Sequence, residues 1–275
     1  MGLNIKTVII ILTILFIASC SNKEKSYYEN GNIKSTFKLN SNGKKDGAEK
    51  IFYPTGELMS LTYFKNGKWI NSIIKYNKDG TYQAIIKRNN DSVFCENYKE
   101  KILISKGAID NKHRPIGWWN SYDNKKIYLK DENIIVENKS VINRQKIFEN
   151  GKLNINKSRF YNLIKPDNIN KNEQYFFQIP FEFNEINPSK NLLNKEYYYL
   201  FISPQINDDF SNIADIKFDT IVPKRNKEFE FSYGFRNSGN KKIKGIIEKH
   251  TLIKENDKIV IKKSRMFINE TINVH

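Results

Sequence analysis

Three histidines, two cysteines and one acidic cluster are the residues of this 275-residue chain with obvious chemical potential. His113, His250 and His275 lie far apart, and none stands at metal-ligand spacing from another. The chain holds no His-Glu-x-x-His, no Cys-x-x-Cys, no Gly-x-Ser-x-Gly and no phosphate-cradling glycine loop. His113 sits in Lys112-His113-Arg114-Pro115, which its proline marks as a solvated turn. His275 is the last residue and is expected to fray. The densest acidic group is Asn207-Asp208-Asp209-Phe210-Ser211-Asn212-Ile213-Ala214-Asp215. Hard cations such as calcium prefer oxygen clusters of this kind, but the EF-hand spacing is missing. Asp208 and Asp209 would need to converge for acid–base work, whereas neighbouring carboxylates point apart on a strand or loop. The segment therefore reads as a polar loop. No catalytic residue, cofactor-binding residue or metal ligand is expected.

Cys20 ends a different kind of segment. Met1 to Lys6 carries one cation, Thr7 to Ile17 is nearly all apolar, and small residues Ala18 and Ser19 follow. The apolar run is shorter than the roughly 18 residues of a membrane-spanning helix and fits the core of a signal peptide. Phe16-Ile17-Ala18-Ser19-Cys20 resembles a bacterial lipobox. The resemblance implies a lipoprotein signal peptide over 1–19 in helical form, with cleavage before Cys20. It further implies a lipidated tether over 20–26 and anchoring of the protein to membrane lipid through acylated, palmitate-bearing Cys20. No Asp follows Cys20, which by the same resemblance favours the outer membrane of the cell envelope. Cys95 is then left alone, so no internal disulfide can form. Within Val93-Phe94-Cys95 it reads as a small buried hydrophobe on a strand, with a reactive thiol as the other reading.

The charge balance is strongly basic: 46 Lys and Arg against 30 Asp and Glu, a net +16. The leader carries Lys6 alone, so its removal leaves +15. The chain is rich in Lys, Asn and Ile, the residues of AT-rich codons, and part of the charge is compositional. The sharper consequence is attraction to an anionic surface, with each nearby cation contributing about 1 kcal/mol. Nucleic acid is not an expected partner, because no recognition motif is present.

The elements that carry these residues announce themselves through internal repetition. Tyr27-Tyr28-Glu29-Asn30-Gly31-Asn32-Ile33 aligns with Phe52-Tyr53-Pro54-Thr55-Gly56-Glu57-Leu58, and a third copy starts at Tyr76-Asn77-Lys78-Asp79-Gly80. The glycines are 25 and 24 residues apart. Apolar and polar residues alternate between Asn-Gly, Asp-Gly and Thr-Gly pairs, which suit tight hairpin turns. Each unit is therefore a β-hairpin, and hairpins must stack to bury an apolar face. Tyr27, Tyr28, Tyr53, Tyr63, Trp69 and Tyr76 are expected on that buried face, an exposed aromatic platform being the alternative.

This pattern resembles the MORN-variant repeat family, which many bacterial lipoproteins and the YwqK-type antitoxins carry. The match is clear over about Tyr27 to Tyr82 and implies β-hairpin repeats over 27–87. Fainter copies at Gly117-Trp118-Trp119-Asn120-Ser121-Tyr122-Asp123-Asn124 and Ile147-Phe148-Glu149-Asn150-Gly151 imply degenerate repeats over 88–157. Lys125 stands where the turn glycine after Asn124 belongs.

Beyond Pro166 the pattern changes. Phe176–Phe183, Tyr197–Ile202, Phe229–Phe235, Ile243–Glu248 and Ile259–Ile261 read as strands. Pro180 suggests an edge strand, Tyr197–Ile202 looks buried on both faces, and Glu255-Asn256-Asp257 reads as a turn. Strands of this spacing suit an immunoglobulin-like β-sandwich over 158–275. The fold class is therefore all-β, a hairpin repeat array followed by a sandwich. The functional reading is a membrane-anchored, non-enzymatic binding or scaffold module of the cell envelope, with an unknown protein or glycan partner. Two alternatives stay open: an antitoxin or immunity protein that masks a toxin, and an enzyme acting on envelope polymers.

Overall fold

A computed structural model of the chain describes residues 23–89, 92–184, 192–224, 227–255 and 258–275. The segment expected as a signal helix, Cys20, and Asn256 and Asp257 of the expected turn lie outside the described residues. The protein is all-β, built of antiparallel strands with one short 3-10 helix, Ile155–Lys157, among the described residues. It divides into two compact units, Met1–Ile104 and Ser105–His275.

The first unit holds β1 (Lys23–Tyr27), β2 (Ile33–Lys38), β3 (Gly47–Phe52), β4 (Leu58–Lys65), β5 (Lys68–Tyr76), β6 (Tyr82–Asn89) and β7 (Ser92–Lys99), paired in chain order. Part of the segment expected as a tether over 20–26 is paired strand. Lys23–Ser26 belong to β1, with Ser26 opposite Ser35 and their hydroxyls 2.8 Å apart. An extended segment next to an open sheet edge satisfies its amides on that edge.

Two turn chemistries connect these strands. In the first, Tyr28, Asn40, Tyr53 and Asn77 each accept a bond from the amide three residues on and donate to the carbonyl four residues on. The residue three on, Gly31 in the first copy, has a positive φ of 83°, the geometry of a hairpin turn with a glycine bulge. In the second, two residues turn with both φ positive, as at Asn66-Gly67 and Glu100-Lys101.

The repeat period is written into side-chain bonds. Tyr28 Oη donates to the Phe52 carbonyl at 2.6 Å across 24 residues, and Tyr53 Oη donates to the Tyr76 carbonyl at 2.7 Å across 23. Each tyrosine thus ties its own turn to the residue just before the equivalent turn one repeat on.

The expected aromatic core of the repeats is not what the sheet buries. Tyr27 and Tyr63 are exposed, and Tyr28, Tyr53, Trp69 and Tyr76 are only half-buried. The buried residues are Thr36, Ser60, Thr62, Ala84, Ile86 and Cys95. Glu49, Thr62, Ile73, Ile86 and Cys95 form one cross-strand row. The reason is geometric. This unit has a single sheet among its described residues, so neighbours within the row cover small side chains while long rings project past them.

The second unit starts within β8 (Ile102–Ile109) and continues with β9 (Pro115–Asp123), β10 (Lys126–Val136), β11 (Lys139–Glu149), β12 (Lys152–Leu153), β13 (Arg159–Tyr161), β14 (Gln174–Phe183), β15 (Leu192–Ile202), β16 (Asp219–Ile221), β17 (Glu228–Gly234), β18 (Gly239–Glu255) and β19 (Lys258–Val274). Its first sheet runs β8-β9-β10-β11-β13-β14-β17, with β12 paired to β11, and its second runs β16-β15-β18-β19. Phe177, Ile179, Phe181 and Phe183 of β14 and Phe229 and Phe231 of β17 meet Leu200, Ile243, Ile247, Met266 and Ile268 of the second sheet in one core. Strands β13 to β19 thus form a seven-stranded sandwich. Its fourth strand, β16, pairs with the third, giving three strands on one layer and four on the other, a variation on the immunoglobulin arrangement of four and three.

Two strand expectations need correction. Pro180 is not on an edge strand, since β14 pairs with β13 on one side and β17 on the other. Ile164 and Gln178 exchange both backbone bonds, whereas Pro180 accepts from the Asn162 amide and has no N–H to return. The ladder tolerates the loss of that one bond. Strand β15 is buried on one face only: Leu200 and Ile202 are buried, Tyr197 is exposed, and Tyr199 and Phe201 are half-covered.

Lys125 keeps its turn despite lacking the glycine. Asn124 and Lys125 adopt φ of 45° and 64°, the same handedness as Asn150-Gly151 at 51° and 77°. A left-handed residue with a Cβ costs roughly 1–2 kcal/mol, offset in part by glycine's greater chain entropy. Lys125→Gly should therefore raise stability by about 0.5–1 kcal/mol, read as a higher urea midpoint; a lower midpoint would contradict this turn geometry.

Candidate functional site

The residues that sequence chemistry singled out are dispersed and tied down. His113 occupies the bulge position of a turn, with φ 61° and its amide on the Asp110 carbonyl at 3.0 Å. Arg114 closes that turn on Asp110 at 2.6 Å. His275 is not frayed: its amide bonds the Ile169 carbonyl at 2.8 Å and its own carbonyl accepts from Lys171 at 3.0 Å. Backbone pairing holds the last residue as it would any strand end. Cys95 is buried, and burial pushes its thiol pKa up, the opposite of an activated nucleophile.

Asp208 and Asp209 diverge around Phe210, which is fully buried, has φ 56° and meets Phe267 edge-on at 4.8 Å. Asp208 turns to Lys244 at 2.7 Å and Lys242 at 3.0 Å, and these hydrogen bonds hold its pKa at about 2. Asp209 turns to the Ser211 hydroxyl at 2.8 Å. Among the described residues no group of three or more His, Cys, Asp or Glu could hold a metal.

His250 joins a charged cluster on the second sheet. Glu248, almost fully buried, accepts from His250 Nε2 at 2.5 Å and Arg265 Nε at 2.7 Å, with Lys263 Nζ at 3.4 Å. Burial pushes the Glu248 carboxyl up, but the His250 and Arg265 hydrogen bonds and the nearby Lys263 charge outweigh it and leave its pKa below the ordinary 4.5. A carboxylate with a lowered folded pKa stabilises the protein above its unfolded value, and that contribution is lost as pH falls through the folded value. Glu248→Gln should therefore melt below wild type at pH 6, with the gap narrowing as pH drops under about 4.5. A gap that stays constant down to pH 3 would show that the carboxylate charge plays no part.

A second cluster, on β9, β10, β11 and β13, was not foreseen. Arg144 is bound in bidentate fashion by Glu132 and reaches Glu270 at 3.2 Å. Its guanidinium lies 4.3 Å from the Tyr161 ring centroid and 5.3 Å from that of Trp118. Next to it, Asn143 accepts from the Phe267 amide at 2.6 Å and donates to the Phe267 carbonyl at 2.8 Å. These bonds join the β10–β11 hairpin to β19.

Outside this knot the surface becomes receptive. Trp118 is 37 % exposed. Lys146 Nζ lies 5.4 Å from Trp118 and 5.0 Å from Phe160. Burial lowers the Lys146 pKa, and the charges of Arg144 and Lys130 lower it further. Phe160 continues into an open groove of about 410 Å³ with Ile155, Asn162, Pro180, Phe181, Glu182, Lys227 and Glu228. The Lys227–Glu182 pair, 2.7 Å apart, crosses its wall, and Gln178 donates to Glu228 at 3.4 Å. The exposed ring of Trp118, beside a groove lined in part by the buried Phe160 and by mixed donors and acceptors, can hold a polar chain by stacking and hydrogen bonding.

Sequence reasoning noted Trp118 only as part of a repeat block. Regular pairing of β10 and β11 from the turn at Glu137-Asn138 would not bring Glu132 to Arg144, so no local signal in the sequence marked this cluster. Comparison with protein-family models, with curated proteins and with solved structures returns no match to this chain.

Proposed function

We propose that this protein is a lipid-anchored, non-enzymatic binding module of the bacterial cell envelope, holding a protein or glycan partner in the groove beside Trp118. The anchor part of this reading is supported by Phe16-Ile17-Ala18-Ser19-Cys20 and the apolar run before it. The repeat array, read as of the MORN-variant kind, is a scaffold in this proposal. The observation that carries the binding role is the exposed ring of Trp118 beside the groove lined in part by Phe160.

Two measurements test the two parts separately. Palmitate should label the wild-type protein in the outer-membrane fraction and should not label Cys20→Ala; label on Cys20→Ala overturns the anchor. A photo-crosslinking residue at Glu228 should give one discrete adduct in intact envelopes, reduced at least fivefold by Trp118→Ala. No adduct, or one indifferent to Trp118, overturns the binding site.

A further inference from the structure

The outer face of the second sheet carries a line of rings that ends on a charged cluster. Leu200 and Ile202 of β15 point into the core, so Tyr197, Tyr199 and Phe201 point outward. The register continues that face across the sheet in three rows: Phe201–Ile246–Phe267, Tyr199–Glu248–Arg265 and Tyr197–His250–Lys263. The segment after β15 covers the first row, with Phe218 edge-on to Phe201 at 5.8 Å and Phe210 edge-on to Phe267 at 4.8 Å. The next two rows are open: Tyr197 is 48 % exposed, and the side chains of Lys263 and Arg265 are 53 % and 44 % exposed.

These open rows are organised from beneath. The buried Glu248 carboxylate takes His250 Nε2 on one oxygen and Arg265 Nε on the other. Tyr199 lies between Phe201, at 6.2 Å, and His250, at 4.9 Å, so a ring as well as a carboxylate holds the imidazole. Glu248 uses one of the five N–H donors of Arg265 and leaves the rest of an exposed guanidinium for another acceptor. Cations already held in place lose little freedom when they bind an anion.

Charge decides what fits. Glu248 stands against Arg265 and Lys263, one positive charge in excess with His250 neutral. The neighbouring carboxylates are engaged or distant. Glu196 turns to Lys249 at 2.6 Å, and Asp208 turns to Lys242 and Lys244 past the covered row. Glu255 and Asp257 come five and seven residues after His250, Glu255 roughly 16 Å along the extended β18. Strand β18 bonds a neighbour on each side, and Arg159 donates to the Arg265 carbonyl at 2.7 Å, so a peptide finds little free main chain here. The surface offers an exposed ring and cationic tips instead. A sugar ring lays its C–H face on tyrosine, and a sugar carboxylate takes the guanidinium fork.

We propose that Tyr197, His250, Lys263 and Arg265 bind an acidic polysaccharide of the envelope through its carboxylate groups. This inference rests on the envelope reading above for the presence of such polymers, and it assigns a second site, on the other sheet of the sandwich from the groove beside Trp118.

Calorimetric titration of the full chain in detergent with decameric oligogalacturonate should give saturable binding that about 0.5 M salt weakens. A neutral malto-oligosaccharide of equal length should not bind. Tyr197→Ala should weaken binding about fivefold and Arg265→Gln about tenfold. Tyr197 is exposed, so a loss at that position is not a loss of fold. Trp118→Ala should leave the titration unchanged. The proposal is overturned by no binding, by equal binding of the neutral chain, or by wild-type affinity in Tyr197→Ala or Arg265→Gln. It is equally overturned if polyglutamate or single-stranded DNA of equal charge binds as tightly, or if Trp118→Ala abolishes binding. A missing crosslink at Glu228 or missing palmitate on Cys20 leaves this titration untouched, so the readings fail separately.

Discussion

Arg144→Met should lower the unfolding free energy of the 105–275 unit by about 3–5 kcal/mol, the expected cost of leaving a buried ion unpaired. The side chains of Arg144 and Glu132 are only 14 % and 12 % exposed, so solvent cannot take over the abandoned carboxylate. Burial by itself lowers the arginine pKa, yet its hydrogen bonds to Glu132, with the Glu132 and Glu270 charges, raise it above its ordinary value. The guanidinium is therefore held as a cation between two carboxylates and two rings. Its removal strands Glu132, opens the Tyr161 face and weakens the attachment of β11 to β19 through Glu270. Urea unfolding followed by tryptophan emission in a Trp69→Phe background reads this unit alone, because Trp118 and Trp119 then supply all the signal. Pairing Arg144→Met with Glu132→Leu should recover at least half of the loss, since replacing both partners of a buried pair by apolar groups is often neutral. A single variant within 1 kcal/mol of wild type would mean that water already screens the pair.

Phe229→Ala should cost about 3–5 kcal/mol in the same unit. Phe229 is fully buried and stacks on Phe181, with centroids 4.9 Å apart and planes 16° apart. It sits where both sheets of the sandwich contribute to a single core. Truncation loses the transfer energy of the ring and leaves a cavity lined by side chains from β14 and the facing sheet, which rigid strands cannot close. Phe176→Ala is the matched control. Phe176 precedes Phe177 on β14 and is half-exposed, so its loss should stay under about 1 kcal/mol. Equal costs at the two positions would contradict the assignment of the inner face.

Much of the strand architecture was legible because its causes are local. The alternation in Phe229-Glu230-Phe231 places rings on one face of a strand without reference to any partner, and the core receives those rings. Asn66-Gly67 and Asn150-Gly151 are turns by the conformational freedom of their own residues. The repeat spacing reappears as the Tyr28–Phe52 and Tyr53–Tyr76 hydrogen bonds.

The site was less legible. Counting back from the turn at Glu137-Asn138 pairs Val136 with Lys139 and Asn133 with Ile142, which would set Glu132 opposite Asn143. A bulge between Glu132 and Asn133 shifts the register by one, so Glu132 faces Arg144 and Asn143 is released to bond β19. One inserted residue thus creates both the ion pair and the attachment. Pro180 was misread for a related cause: whether a strand has one neighbour or two depends on where the chain returns, and β14 gains β13 and β17 from opposite directions in sequence.

The chain's residues alone determined that it would be β-structured, where it would turn, and that its charge would be strongly positive, because periodicity, turn preference and ionisation are properties of a few adjacent residues. The tertiary structure decided which faces are dry. Repeat tyrosines expected inside are exposed or only half-buried because their sheet has no second layer among the described residues, while the rings of β14 and β17 are buried because a four-stranded sheet covers them. Burial belongs to pairs of distant segments, and so do the Arg144 knot, the groove beside Phe160 and the charged rows around Glu248.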